Sequence, residues 1–453
     1  MDIYLYNTLT RKKEVFKPIK KGHVGIYSCG PTLYWYQHVG NFRTTLLSDF
    51  LKRILKYNGY KIKHAMNFTD VDDKTIRASQ KEKVTLKNLT KKYEGIFLKD
   101  IDNLNIIRPN EFLRATDNIG EMVKIIQKLL KKGYAYTASD GVYFSISKSK
   151  RYGSIAGLDN IKVVKERINR DEYDKSNASD FVLWKFYSKE DGDVFWETPI
   201  GKGRPGWHIE CSAMSIGYLG PHFDLHVGGM DLIFPHHANE IAQSEAFSGK
   251  KFVNYWIHGG LLNLKTGKMS KSEGNIYTLE DLSKEGFNPV YYRYLCLQTN
   301  YRKPLEFSFD SLEAAKNAYD KIKRKIIRLR KERNPGNTDI KYYKKQFLDA
   351  INDDLNMSKA LEVFWEVMEE TDMNSKTRLQ ILEDFDMVLG LGLRDMKEKK
   401  IVIPKDVTDL LTARQKARKE KNFPEADILR ARIKERGFII EDLAEGGPSL
   451  RPI

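Results

Sequence analysis

A strand, a helix and a second strand follow one another between residues 24 and 68, and this succession does most to limit the folds open to the chain. Val24-Gly25-Ile26-Tyr27-Ser28-Cys29 reads as a buried strand that ends in a Gly30-Pro31 turn. Leu47, Phe50, Leu51 and Ile54 then recur at helical spacing, and Asn58-Gly59 closes the helix. Ile62-Lys63-His64-Ala65-Met66-Asn67-Phe68 reads as the next strand. Such a βαβ unit begins a parallel sheet, so the expected class is α/β with a Rossmann-like sheet. Ligands of these sheets bind beyond the carboxyl ends of strands, where Cys29 and Thr69 both stand.

The rest of the chain departs from that pattern in two places. From about 120 to 200 a helix, short strands around Gly141-Val142-Tyr143-Phe144-Ser145 and charged loops suggest an insertion that splits the sheet domain. The sheet is expected to resume near Gly206 and again at His222-Phe223-Asp224-Leu225-His226-Val227-Gly228. Past about 308 the chain reads as helical, with Leu312, Ala315, Tyr319, Ile322, Ile326 and Leu329 forming a core-facing stripe. Pro404 is expected to open a last small unit. At 453 residues the chain exceeds what one core usually supports, so several domains are expected.

Charge and cysteine content narrow the setting. Lys+Arg exceed Asp+Glu by 77 − 61 = 16, which fits an anionic partner and equally fits a lysine-rich surface with none. Three cysteines suit a reducing compartment better than a disulfide scaffold. The opening Met1-Asp2-Ile3-Tyr4 lacks the pattern of a signal peptide, and no apolar run approaches the roughly 18 residues of a membrane span. A cytoplasmic protein is therefore expected, with no membrane partner.

Gly-Lys-Met-Ser-Lys-Ser-Glu-Gly-Asn, residues 267 to 275, places Lys268 and Lys271 in a short polar loop flanked by glycine. A loop of this kind can set ammonium groups on polyphosphate oxygens. It is not a Walker A loop, because Met269 follows Gly267-Lys268 and no glycine lies five before Gly267. With His38-Val39-Gly40-Asn41 it resembles the paired HIGH and KMSKS signatures of class I aminoacyl-tRNA synthetases. Ser28-Cys29-Gly30-Pro31-Thr32, Asn67-Phe68-Thr69-Asp70-Val71-Asp72-Asp73 and Gly206-Trp207-His208-Ile209-Glu210-Cys211-Ser212 make the likeness specific to the cysteinyl-tRNA synthetase family. It runs from Asn7-Thr8-Leu9 to the C-terminal tail.

By spacing alone the metal signal is weak. Cys29 and Cys211 are expected at strand-end or loop positions of one sheet, and Pro235 suits the first position of a helix. His236 and Glu240 would then share a face at i and i+4, with His237 nearly as well placed at i,i+3. The resemblance selects Cys29, Cys211, His236 and Glu240 as ligands of one zinc ion, and leaves Cys296 as a packed core thiol. It also implies how cysteine is told from serine: the substrate thiolate completes the zinc coordination, so no editing site is needed.

The reaction the resemblance implies is attack of the L-cysteine carboxylate on the α-phosphorus of ATP, carried as its Mg2+ complex, followed by transfer to the 3′ end of tRNA(Cys). His38, Asn41, Lys268 and Lys271 would stabilise phosphate charge. Asn41 stands where the strict signature has a second histidine, which keeps a neutral donor and removes a titratable one. Gly40, Gly228, Gly229 and Asp231 resemble the adenosine-binding stretch, although Val227 and Met230 depart from it. Cys29, Gly30, Thr69, Trp207 and His226 resemble the cysteine pocket. Arg414, Arg418, Lys421 and Phe423 combine charge with an exposed ring, which suits tRNA phosphates and an unstacked base, while a solvated helix face accounts for the same charges. The domains implied are a catalytic domain at 1–119 and 201–249, the insertion at 120–200, a lysine-loop linking domain at 250–307, a tRNA-binding helical bundle at 308–400 and a small basic anticodon-binding domain at 401–453. A monomer is expected. Two other readings stand beside this one: a ligase that couples cysteine to an amino sugar, and a non-catalytic RNA-binding relative.

Overall fold

The computed structural model describes residues 2–158, 180–264, 276–398, 404–443 and 447–452. The chain forms two compact units, Met1–Arg394 and Asp395–Ile453. In the first, β1 (Tyr4–Asn7) and β2 (Lys12–Val15) make an antiparallel hairpin ahead of the main sheet. The sheet begins with β3 (His23–Ser28), α1 (Val39–Tyr57) and β4 (Lys61–Phe68). Val24, Ile26, Tyr27, Ala65, Met66 and Phe68 are all buried, as an apolar strand covered on both faces must be. The helix is closed as its sequence suggests, with Asn58 as C-cap and Gly59 at φ +85°, a conformation glycine takes without strain.

Helices α2 (Asp73–Glu82) and α3 (Leu86–Asn103) carry the chain to β5 (Glu111–Arg114), parallel to β4. Next come α4 (Ile119–Lys131) and an antiparallel sheet of β6 (Ala135–Thr137), β7 (Gly141–Phe144), β8 (Phe181–Phe186) and β9 (Gly203–Pro205). Here the structure corrects the sequence reading. The main sheet does not resume near Gly206; β9 is the last strand of the antiparallel sheet, and Trp207–Leu219 is a helix, α5. Every residue from His208 to Ser215 is buried, so this helix has no polar stripe to mark its period. Cys211 therefore sits inside a helix, not at a strand end.

The main sheet resumes with β10 (Phe223–Gly229), α6 (Ala238–Ser248) and β11 (Val253–Gly259). Its order is β11-β10-β3-β4-β5, and every adjacent pair is parallel. The chain first winds from β3 toward β5 and then returns to the other side of β3. The gap beyond β3 and β10 is thus the topological switch point, where the two adjacent connections diverge and leave a crevice.

Two short parallel strands, β12 (Leu262–Leu264) and β13 (Leu305–Phe307), flank α7 (Leu279–Lys284) and α8 (Pro289–Leu297). Cys296 is buried on α8, where desolvation pushes its thiol up to about 11. The helices α9 (Phe309–Leu329), α10 (Lys341–Asn352), α11 (Met357–Glu369) and α12 (Ser375–Leu389) follow. On α9 the stripe Leu312, Ala315, Ile322, Ile326 and Leu329 is buried. Part of its basic face is paired within the fold, since Lys321 and Lys325 both reach Glu369. The second unit holds α13 (Lys405–Lys419), α14 (Phe423–Glu435) and the hairpin β14 (Phe438–Leu443) with β15 (Gly447–Pro452). Val407, Ile433 and Leu450 form its core. Among the described residues no helix is long and apolar enough to cross a membrane.

Candidate active site

The site starts where β3 ends. The Cys29 N–H donates to Val227 O at 3.0 Å, which ties the residue after β3 to β10. Gly30 follows, and a side chain there would collide with the Asn67 carbonyl, so only glycine lets the turn pass so close to β4. Its N–H donates to Asn67 Oδ1 at 2.8 Å. Asn67 Nδ2 donates to Thr69 Oγ1 at 3.2 Å, and Thr69 Oγ1 in turn donates to Glu210 Oε2 at 3.1 Å. With its proton committed to Glu210, the Thr69 oxygen is oriented as an acceptor for a donor arriving from the crevice.

Around Cys29 the chain gathers soft and borderline metal donors. One ligand atom from each of Cys29, Cys211, His236 and Glu240 lies within 4.8 Å of every other. Tetrahedral zinc with sulfur and nitrogen or oxygen ligands needs separations of about 3.3–3.8 Å, so small side-chain adjustments suffice. A second set, Cys29, His226, His237 and Glu240, meets the same distance limit. The first set offers two thiols and the second one, and thiolates favour zinc. Glu240 is reached as the spacing suggested, with His236 Nε2 3.1 Å from Oε1 and His237 Nε2 3.9 Å away. The local backbone differs from expectation: α6 starts at Ala238, and Phe234 is extended (φ −141°, ψ 131°) in the wide turn before it. Pro235 lies in that turn instead of opening the helix.

Electrostatics suits the donor role at Cys211 and Glu240, and against the effect of burial these two groups raise His236 to about 10. A hydrogen bond with Cys29 is the main reason the Cys211 thiol falls to about 6, against the opposing effect of burial, and His236 adds to the fall. The same bond, together with burial, raises Cys29. Burial would raise Glu240, but His226 and His236 outweigh it and bring the carboxyl down to about 2. His226 Nε2 lies 3.0 Å from Glu240 Oε2, orienting the carboxylate from behind. Trp207, 39% exposed at the start of α5, stacks on His236 with ring centroids 4.3 Å apart.

The other end of the site is built on α1. His38 is its N-cap: Nδ1 accepts from the Asn41 N–H at 3.3 Å, and Asn41 Oδ1 accepts from the His38 N–H at 3.2 Å. This reciprocal box uses Asn41 as a cap, a role a histidine could not fill with the same carbonyl oxygen. Gly40 lies in the first turn, where backbone N–H groups and the helix dipole favour anions. Gly228 and Gly229 close β10 beside it, and Asp231 is exposed just beyond. A Cβ on Gly228 would lie 2.5 Å from His237 Cε1. We expect Gly228→Ala to cost about 1–3 kcal/mol by forcing the imidazole aside. Urea unfolding that gives wild-type stability would show that the crevice has slack there.

Lys268 and Lys271 lie outside the described residues. The chain on both sides of them is placed: β12 ends at Leu264, and the Tyr277 carbonyl accepts from the Val39 N–H at 2.9 Å. The chain just after the second signature stretch is therefore bonded to the start of α1.

With this geometry in view, comparison with known proteins is decisive. The family model for the class I (C) tRNA synthetase catalytic domain matches residues 15–317, and that for the cysteinyl-tRNA ligase anticodon binding domain matches residues 402–446. The cysteine–tRNA ligase of Brachyspira hyodysenteriae is 44% identical, covering 98% of each chain. The chain belongs to the cysteine–tRNA ligase family. A second cysteine–tRNA ligase, from Protochlamydia amoebophila, is 43% identical over 98% of this chain and 96% of its own. Among solved structures, Mycobacterium tuberculosis methionyl-tRNA synthetase in complex with methionyl-adenylate superposes with a TM-score of 0.59 at 14% identity, over 83% of this chain and 91% of that one. That likeness concerns the class I fold. Like its relatives, the chain is an aminoacyl-tRNA synthetase of the ligase class.

In the second unit of this ligase, Arg418 and Lys421 are exposed and Phe423 is 58% exposed at the start of α14. Arg414 differs from expectation. It is buried, 6% exposed, and so does not offer its guanidinium to a surface ligand. Two buried histidines that the sequence did not mark stand against His236 and His237. His208 Nδ1 lies 2.9 Å from His236 Nδ1, and His258 Nε2 lies 2.7 Å from His237 Nδ1. Burial holds His258 down to about 3, so it is neutral and can fix the His237 tautomer. His258 stands at the carboxyl end of β11, a position the strand-end rule marks out.

Proposed function

We propose that this protein activates L-cysteine with ATP and transfers it to the 3′ end of tRNA(Cys). The observation that carries the proposal is the four-donor cluster of Cys29, Cys211, His236 and Glu240 at the switch point, one crevice away from the capped start of α1. These four residues would hold zinc, which when bound supplies a Lewis acid that takes the substrate thiolate and refuses the harder hydroxyl of serine. Thr69 accepts from the substrate ammonium, and Trp207 and His226 wall the thiol's approach. Held this way, the cysteine carboxylate faces the start of α1. A carboxylate oxygen attacks the α-phosphorus of ATP, the bond to the bridging oxygen of the β-phosphate breaks, and pyrophosphate leaves with Mg2+. His38, the first-turn N–H groups of α1, Lys268 and Lys271 receive the developing charge, which is positioning and electrostatics with no covalent enzyme intermediate. The adenosine lies along Gly228 and Gly229, with Asp231 accepting a ribose hydroxyl. A ribose hydroxyl of the tRNA 3′ end then attacks the cysteinyl carbonyl and AMP departs.

The acceptor is tRNA rather than an amino sugar on this reading, supported by the match of residues 402–446 to an anticodon-binding model and by exposed Arg418, Lys421 and Phe423. The enzyme would work in the cytoplasm as a monomer. Cutting the chain before Pro404 tests the division of labour. Cysteine-dependent pyrophosphate exchange should persist, while charging of tRNA(Cys) should fall sharply through weaker binding. Full-length binding should also weaken with salt, because each phosphate contact releases counterions. Equal charging by truncated and full-length protein would remove the tail from tRNA recognition.

A further inference from the structure

We propose that Arg43 and Asp354 are positioning residues that hold, from opposite sides, the backbone leading out of β11, and so set the ATP end of the site; this rests on the reading of that end given above. Arg43 lies on α1 and is 6% exposed. Its guanidinium meets backbone carbonyls: Nη1 donates to Gly260 O at 3.0 Å and to Leu261 O at 2.5 Å, and Nη2 donates to Asn300 O at 3.4 Å and to Lys303 O. Among the described residues no carboxylate pairs with it. A planar fork of donors can join two separate stretches of backbone in this way, whereas a lysine ammonium is a single point.

The turn 300–303 is gripped again from its far side. Asp354, 3% exposed between α10 and α11, accepts from Tyr301 Oη at 2.7 Å and from Arg302 Nε at 2.9 Å. It also accepts from the Tyr6 N–H at 2.7 Å, and its own N–H donates to Tyr4 O at 2.9 Å. Asp354 and Leu355 both adopt the left-handed conformation (φ +57° and +54°), which two successive non-glycine residues keep only when their surroundings impose it. The turn then reaches the stem of the lysine loop directly. The Gly260 N–H donates to Tyr301 O at 2.7 Å, and the Leu305 N–H donates to Leu261 O at 2.9 Å. A Cβ on Gly260 would lie 2.5 Å from Lys303 O, so the two backbones touch.

A continuous path therefore runs from Asp354 through turn 300–303 and Gly260–Leu264 to Arg43, on the helix that begins with His38. Gly259, next to this stem, pairs in register with Gly229 of β10. The helical bundle thus sets the geometry of the nucleotide end without touching the nucleotide. Asp354 belongs to the helical bundle at 308–400, for which the family resemblance implied only tRNA binding.

The test uses full-length Arg43→Lys, Asp354→Asn and the double variant, with two readouts. In cysteine-dependent pyrophosphate exchange, each single variant should lose at least about tenfold in kcat/KM for ATP, with L-cysteine affinity unchanged in a titration without ATP. The double variant should lose little more than the worse single one, because the two residues act on one element. Hydrogen exchange of the Gly260 and Leu262–Leu264 amides, followed without substrates, should speed up in both single variants. Wild-type amide exchange in both, losses that multiply in the double variant, or an equal loss of cysteine affinity would each overturn the proposal. If wild-type protein shows no cysteine-dependent exchange, the functional reading fails, and the amide measurement still decides whether Asp354 holds the stem.

Discussion

Replacing Lys271 with alanine should lower the rate of cysteinyl-adenylate formation by at least about 100-fold, the loss typical of one donor aimed at transition-state charge. The reason is geometric as much as electrostatic. Of the described chain on either side of residues 265–275, β12 ends at Leu264 and the Tyr277 carbonyl accepts from the Val39 N–H at the start of α1. On the proposed reading, Lys271, six residues before Tyr277, serves phosphates at the first turn of α1. Cysteine affinity should stay near wild type, since the proposed cysteine donors are Thr69 and the metal cluster and do not include Lys271. Rapid-quench measurement of the adenylate separates the two effects, and a Lys271→Ala enzyme with wild-type rate would take this residue out of the mechanism.

Cys211→Ser should abolish stoichiometric zinc and reduce kcat/KM for cysteine by at least about 100-fold, more than the 10- to 100-fold that loss of a supporting hydrogen bond costs a metal site. The substitution is nearly isosteric at a position 1% exposed on α5, so the thermal midpoint of the metal-free proteins should hardly differ. The loss follows from chemistry: a serine hydroxyl stays protonated where the Cys211 thiol, lowered to about 6, ionises readily. His237→Asn provides the contrast. If the set with two thiols is the right one, zinc stays bound in that variant; if the set with His226 and His237 is right, zinc is lost there and largely retained in Cys211→Ser.

Much of the scaffold was legible because its signals are local. The β3–α1–β4 unit could be read from one apolar run, one helical stripe and Asn58-Gly59, each of which reports on its own neighbourhood. The misreading of Trp207–Leu219 has the opposite cause. A helix buried from His208 to Ser215 on every side carries no alternation of polar and apolar residues, so its period is invisible and Cys211 was assigned to the wrong kind of element. His236 and His237 could not be separated by spacing, because the wide turn at 233–237 brings both toward Glu240. Arg414 shows a related blind spot: in a helix as charged as α13, composition does not tell which cation turns inward. Residues such as Arg43 and Asp354 were out of reach for another reason, since their partners are backbone atoms far away in sequence, which leave no trace in side-chain patterns.

The most direct test of the account is pyrophosphate exchange with cysteine and with serine, run side by side on protein whose zinc content has been measured. About one zinc per chain is expected, with a preference for cysteine in kcat/KM well beyond the roughly 10- to 200-fold that an apolar pocket gives for so small a difference. That preference should disappear together with the metal in Cys211→Ser. Protein that discriminates as well without zinc would contradict selection by thiolate coordination and leave the four-donor cluster without its assigned work.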